Sequence, residues 1–165
     1  MREILDDTLA GWRHERPDLD LDAMATALRL NQLVNTGLRG IDGVFAAHGI
    51  KVGEFDVLAA LRRAGAGAVL APTALARVAM VTPGGMTNRL DRLEAAGLIE
   101  RRPDPDDRRG SLVELTPRGR ETADRAIDDL VAAENAVFGV LGATERERLD
   151  RTLDKLLAHL EHARP

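Results

Sequence analysis

No cysteine occurs in the 165-residue chain, which excludes a disulfide framework and any chemistry that needs a thiolate. No run of apolar residues approaches the roughly 18 that a membrane span requires, and residues 1–17 are polar, unlike a secretory leader. These absences point to a cytoplasmic protein with no membrane partner. Enzyme signatures are missing too: there is no serine nucleophile motif, no glycine-rich phosphate loop and no convergent carboxylate pair, so no catalytic residue and no cofactor is assigned. Among His14, His48, His159 and His162, only the last two have a spacing that suits a metal, and the charged segment around them offers no third ligand. Lysine is scarce, since 21 of the 23 basic residues are arginine, a bias that favours bidentate contacts to phosphate or carboxylate.

With 44% hydrophobic residues, the chain can bury a core as one domain, residues 1–165. Its most informative stretch is residues 73–118. Thr82 is a good N-cap, Pro83 suits the first helical position and Gly97 supplies a left-handed stop, which predicts a helix of about four turns between them. Met86, Leu90 and Leu93 make one apolar stripe along it and leave Thr87, Asn88, Asp91 and Arg92 on other faces. Gly84 and Gly85 in its first turn carry no side chain, so the helix start can approach a phosphate or base edge closely. The preceding segment, which opens at Thr73, reads as the shorter helix of a helix-turn-helix pair.

After Gly97, Leu98 and Ile99 begin a strand whose partner holds Leu112, Val113 and Leu115, with Glu114 and Arg101 or Arg102 facing away. The connecting loop carries two prolines and three aspartates beside Arg108 and Arg109 and forms a projecting turn. Arginine at such a tip suits the narrow, electronegative minor groove of DNA, and Asp107 is placed to orient Arg109 by an ion pair. The arrangement is a winged helix, mainly α with a small β-wing, and double-stranded DNA is its expected partner. Charge is distributed accordingly. Residues 73–120 hold nine basic against seven acidic residues, a surplus of +2, whereas the rest of the chain holds fourteen against twenty, a deficit of −6, within the overall −4.

Residues 86–99 (MTNRLDRLEAAGLI) followed by 106–116 (DDRRGSLVELT) resemble the MarR family of bacterial transcription regulators, and the likeness spans essentially the whole chain. It implies a homodimeric repressor whose Thr82–Ala96 helix enters the major groove while the wing at Asp107 and Arg109 touches the adjacent minor groove. Thr73, Thr82, Gly84, Gly85, Thr87, Asn88, Arg92, Asp107, Arg108 and Arg109 are the expected DNA contacts. The alternative is a winged-helix dimer that docks another protein without reading sequence.

The flanks account for the remaining length. A long helix from Thr116 carries Ile127, Leu130, Val131, Phe138 and Leu141 on one side and breaks near Gly139 or Gly142. A second one, with Thr144 and Glu147 as a capping box, bears a seam of Leu149, Leu153, Leu156, Leu157 and Leu160. A helix from about Leu21 to His48 is apolar on more than one face and needs more than one partner. Residues 1–50 and 121–165 are therefore expected to build a two-fold dimer around the reading region at 53–120.

Residues 11–20, 53–65 and 87–93 resemble the urate-responsive branch of the family. The resemblance implies an effector site at Trp12, Asp56 and Arg89. Ala64 stands where that branch has an asparagine ligand, so urate, a related purine, a phenolic acid or another planar anion all remain candidates.

Overall fold

A computed structural model describes residues 2–162 other than 106, 108 and 109. It divides into two compact units, residues 1–43 and 44–165. The N-terminal unit opens with α1 (Arg2–Glu15) and α2 (Asp22–Leu33), which bury Leu9, Leu21 and Ala25 together, with Leu5 and Leu28 against them. The helix expected from Leu21 to His48 runs from Asp22 to Ala47 but loosens into π-helix over Val34–Leu38 before α3 (Arg39–Ala47). Val34, Asn35, Thr36 and Gly37 are all weak helix formers, and four in succession lower the cost of a wider turn.

The second unit is organised around α4 (Val52–Arg63), which packs against α5 (Pro72–Val78), α6 (Pro83–Ala95) and α7 (Pro117–Phe138). Strands β1 (Ile99–Pro103) and β2 (Ser111–Leu115) pair antiparallel, with Ile99 opposite Leu115 and Arg101 opposite Val113. Leu70, which no sequence signal marked, adds a bridge to the other side of β2 through reciprocal backbone bonds with Val113 of 3.0 and 2.9 Å. The fully buried side chains include Leu58 and Leu61 of α4, Leu75 of α5, Met86, Leu90 and Leu93 of α6, and Ile99 and Val113 of the hairpin. Each contributes about 1.5–3 kcal/mol on leaving water, so the expected apolar stripe of α6 is the seam that seats it. The rings of Phe45 and Phe55 stack at 4.5 Å to close one end of this core.

For the C-terminal helices the structure supplies the buried face of α7 and corrects the cap of the last helix. The side of α7 that is buried carries Gly119, Thr122, Ala123 and Ala126, whereas Ile127 and Val131 are exposed. Small residues let α7 approach α4 closely, where Arg62 pairs with Asp124 at 2.6 Å, and this leaves Ile127 and Val131 facing outward while Leu130 and Phe138 stay half-buried. The last helix, α8 (Ala143–His162), starts one residue before Thr144. Its cap is Glu145, which accepts the Gly142 N–H at 2.8 Å, in place of Thr144 and Glu147. None of its described residues is buried, and Leu153, Leu156, Leu157 and Leu160 are all exposed. Among the described residues no helix is long and apolar enough to cross a membrane.

Candidate nucleic-acid interface

Local chemistry positions α6 at both ends. Thr82 is extended, and its hydroxyl accepts the Gly85 N–H at 3.2 Å while Pro83 occupies the first turn, as the capping pattern predicts. At the other end Gly97 takes φ +67°, and backbone bonds from Gly97 to Glu94 (2.8 Å) and from Leu98 to Leu93 (2.9 Å) complete a Schellman motif. With Met86, Leu90 and Leu93 buried, Thr82, Gly84, Thr87 and Asn88 lie on the exposed side. A Cβ at Gly84 would meet nothing within 4 Å, whereas one at Gly85 would lie 3.2 Å from the capping hydroxyl of Thr82. Gly84 is thus the open position and Gly85 the one that serves the cap. The Thr87 hydroxyl donates to the Pro83 carbonyl at 3.1 Å, which fixes the hydroxyl near the helix start. Thr73 is exposed in the first turn of α5.

The other faces of α6 are tied to its neighbours by charge. Arg92 does not project freely: its Nε donates to Glu54 Oε1 at 2.6 Å, and Glu54 is only 6% exposed. The second carboxylate oxygen of Glu54 accepts the Lys51 N–H at 2.9 Å, closing the first turn of α4. One turn earlier on α6, Arg89 donates to the Gly53 carbonyl at 3.0 Å and stands 3.6 Å from Asp56. The absence of a side chain at Gly53 makes room for it, because a Cβ there would come within 2.6 Å of Arg89 Nη2. Toward the wing, Arg101 reaches back to Asp91 at 2.6 Å and Glu94 at 3.4 Å. Of the two arginines that could face away it is therefore Arg102 that does, exposed beside Glu114, because two carboxylates of α6 draw Arg101 onto that helix. Arg102 instead pairs with Glu114 at 3.3 Å, which offsets the repulsion of Glu100 directly opposite Glu114.

Arg92→Ala distinguishes a positioning role from a purely exposed one. The substitution leaves a buried carboxylate without its cation, so unfolding free energy should fall by about 2 kcal/mol in urea melts. An arginine that served only as a surface reader would change it by no more than about 0.5 kcal/mol.

The wing loop is closed by a bond from Asp104 N–H to the Gly110 carbonyl (3.2 Å), and the Gly110 N–H turns back to Asp107 (2.9 Å). Arg108 and Arg109 lie outside the described residues. Trp12 belongs to the N-terminal unit, where it is 46% exposed on α1 beside Asp7, Thr8 and Glu15. Neither Glu54 nor Arg101 was marked by its local sequence, since the partners lie 38 and 10 residues away.

The MarR family profile matches residues 48–110. The chain is 34% identical to the HTH-type transcriptional regulator PecS of Dickeya dadantii over 161 residues, 96% of this chain and 95% of that protein. Among solved structures, a mutant MarR of Escherichia coli complexed with operator DNA superposes with a TM-score of 0.68 at 31% identity, covering 83% of this chain and 97% of that one. A MarR family protein of Mycobacterium tuberculosis in complex with DNA gives 0.61 at 29% identity, over 79% and 95%. These relatives are transcription regulators and DNA-binding proteins, not enzymes.

Proposed function

Because the chain belongs to the MarR family of DNA-binding transcription regulators, we propose that it acts as a homodimeric repressor which blocks a promoter and leaves it when a small planar anion binds. The observation that carries this reading is the division of labour on α6. Its exposed start and its Thr82, Gly84, Thr87 and Asn88 side are open to a DNA groove. Its Arg89 side is held to α4 through Asp56 and the Gly53 carbonyl. A helix of this kind reads bases with its N-terminal residues, and its placement relative to the body sets the register on DNA.

The Asp56–Arg89 pair is the proposed point of control. An anionic ligand competes with Asp56 for the Arg89 guanidinium and repels the Asp56 carboxylate. Both effects favour a conformer in which α6 has moved, and coupling of about 1–3 kcal/mol lowers DNA affinity roughly 5–150-fold. Urate, related purines and phenolic acids have the required planarity and charge. Ala64 at the position of an asparagine ligand favours an anion that makes one polar contact fewer than urate does.

The test begins with DNA selected by the purified protein from genomic fragments. The expected complex weakens as salt rises, as phosphate contacts require, and urate or salicylate titrated into it releases the DNA. Gly53→Ala displaces the Arg89 guanidinium without deleting it, so this variant and Asp56→Ala should bind DNA yet lose most of the response. If no planar anion changes affinity in the wild type, the control reading is wrong. If no fragment is retained at low salt, the docking of another protein becomes the better account of this surface.

A further inference from the structure

Three helix ends in the second unit use the same backbone device. After α3, Gly49 has φ +70°, Gly49 N–H bonds to Ala46 at 3.0 Å and Ile50 N–H to Phe45 at 3.1 Å. After α6, Gly97 and Leu98 repeat the pattern. After α5, Met80 N–H bonds to Arg77 at 3.3 Å and Val81 N–H to Ala76 at 3.0 Å, and the left-handed position belongs to Met80, with φ +50°. Each is a Schellman motif with an apolar residue following the left-handed one. Two carry glycine, which adopts that conformation without steric cost, and the third carries a bulky side chain that disfavours it.

Met80 is unfavourable on a second count. It is 92% exposed, and Val78, two residues earlier, is 54% exposed, so a large apolar side chain is held in water by a backbone that glycine would suit better. The two backbone bonds of the motif hold the strained conformation, but among the described residues nothing covers the side chain. Strain and exposure that coincide at one residue mark a place where the side chain meets something outside the fold. Met80 lies in the turn of the helix-turn-helix, two residues before the Thr82 cap, and Thr82, Pro83 and Gly84 at the start of α6 are exposed as it is.

We propose that Met80 is a further DNA-contacting residue, whose thioether side chain packs on a thymine C5-methyl group at the edge of the major groove that α6 enters. Thymine alone presents a methyl group there, so an apolar contact at this edge carries sequence information. Methionine suits it because an unbranched, polarizable chain fills an irregular gap without a fixed shape. The inference rests on the entry of α6 into DNA.

The test uses full-length protein and the duplex it selects from genomic fragments. Met80→Gly relieves the left-handed strain, so it should melt at a higher temperature than wild type while binding the duplex about tenfold more weakly, or about 1.4 kcal/mol. Met80→Leu, which keeps the apolar surface, should stay within about twofold of wild type. Replacing thymine by deoxyuridine in the site should weaken the wild type by a similar factor and leave Met80→Gly unaffected. Tight binding by Met80→Gly overturns the proposal, as does a wild type that is indifferent to the thymine methyl groups. Asn88→Ala in the same assay separates the two readings. If Asn88→Ala weakens binding and Met80→Gly does not, the Met80 contact alone is wrong; if neither does, the entry of α6 into DNA falls with it.

Discussion

A chain ending at residue 143 is expected to sediment as a folded monomer and to bind its operator at least about 100-fold more weakly than the intact protein. The physical basis is the surface of α8. Leu153, Leu156, Leu157 and Leu160 recur at helical spacing and are exposed, up to 61% at Leu160, and none of the described residues of the helix is buried within the chain. In the proposed dimer a helix with an exposed leucine seam gains its stability by packing on a second copy. The core of the second unit is complete before α8 begins, since its buried residues end at Ala126, so removing the helix should spare the helical circular dichroism signal of the remainder. What disappears is registration. Two reading helices must meet half-sites about 34–36 Å apart, and a lone one forfeits half the contacts together with the fixed spacing. Analytical sedimentation of an intact dimer after truncation would sink this account of α8.

The largest loss of stability from one added methyl group is expected at Gly119→Ala. Gly119 lies in the first turn of α7, and a Cβ there would overlap the carbonyl oxygen of Leu98. The obstacle is backbone, not the flexible end of a side chain, so α7 has to lift away. It cannot do so cheaply. Thr116 caps α7 by accepting the Gly119 N–H at 2.9 Å, while its own hydroxyl donates to Gly97 at 2.8 Å and its N–H bonds to Leu98 at 3.1 Å. The end of α6, the start of β1 and the start of α7 thus share one set of hydrogen bonds. Overlap with backbone at such a junction should cost about 3 kcal/mol or more, despite the better helix propensity of alanine. For a chain of this size that lowers the melting temperature by roughly 6–12 °C. Gly84→Ala is the internal control. Its Cβ meets open space, so this variant should be as stable as wild type or more so by about 0.5–1 kcal/mol. A melting temperature for Gly119→Ala equal to that of Gly84→Ala contradicts the packing argument.

Helix limits and their apolar faces were legible in the amino-acid order because they are set within a few residues. Thr82 and Pro83 begin α6 and Gly97 ends it by the conformations those residues prefer. The spacing of Met86, Leu90 and Leu93 is enough to say which face turns inward. The hairpin was anticipated as well, and family resemblance, not local pattern, singled out Asp56 and Arg89, which the structure brings within 3.6 Å. Tertiary structure alone decided where the remaining charges go. Arg92 and Arg101 carry the same guanidinium and both look like surface residues in the sequence, yet one closes on Glu54 from α4 and the other on Asp91 and Glu94 from α6. The same holds for α7, whose small residues, not its large apolar ones, face α4. Periodicity records which positions avoid water, a property of each residue and its near neighbours. Which carboxylate meets which arginine, and which segments come close enough to need Gly119, depends on the geometry between separate elements of the fold, and no local pattern encodes it.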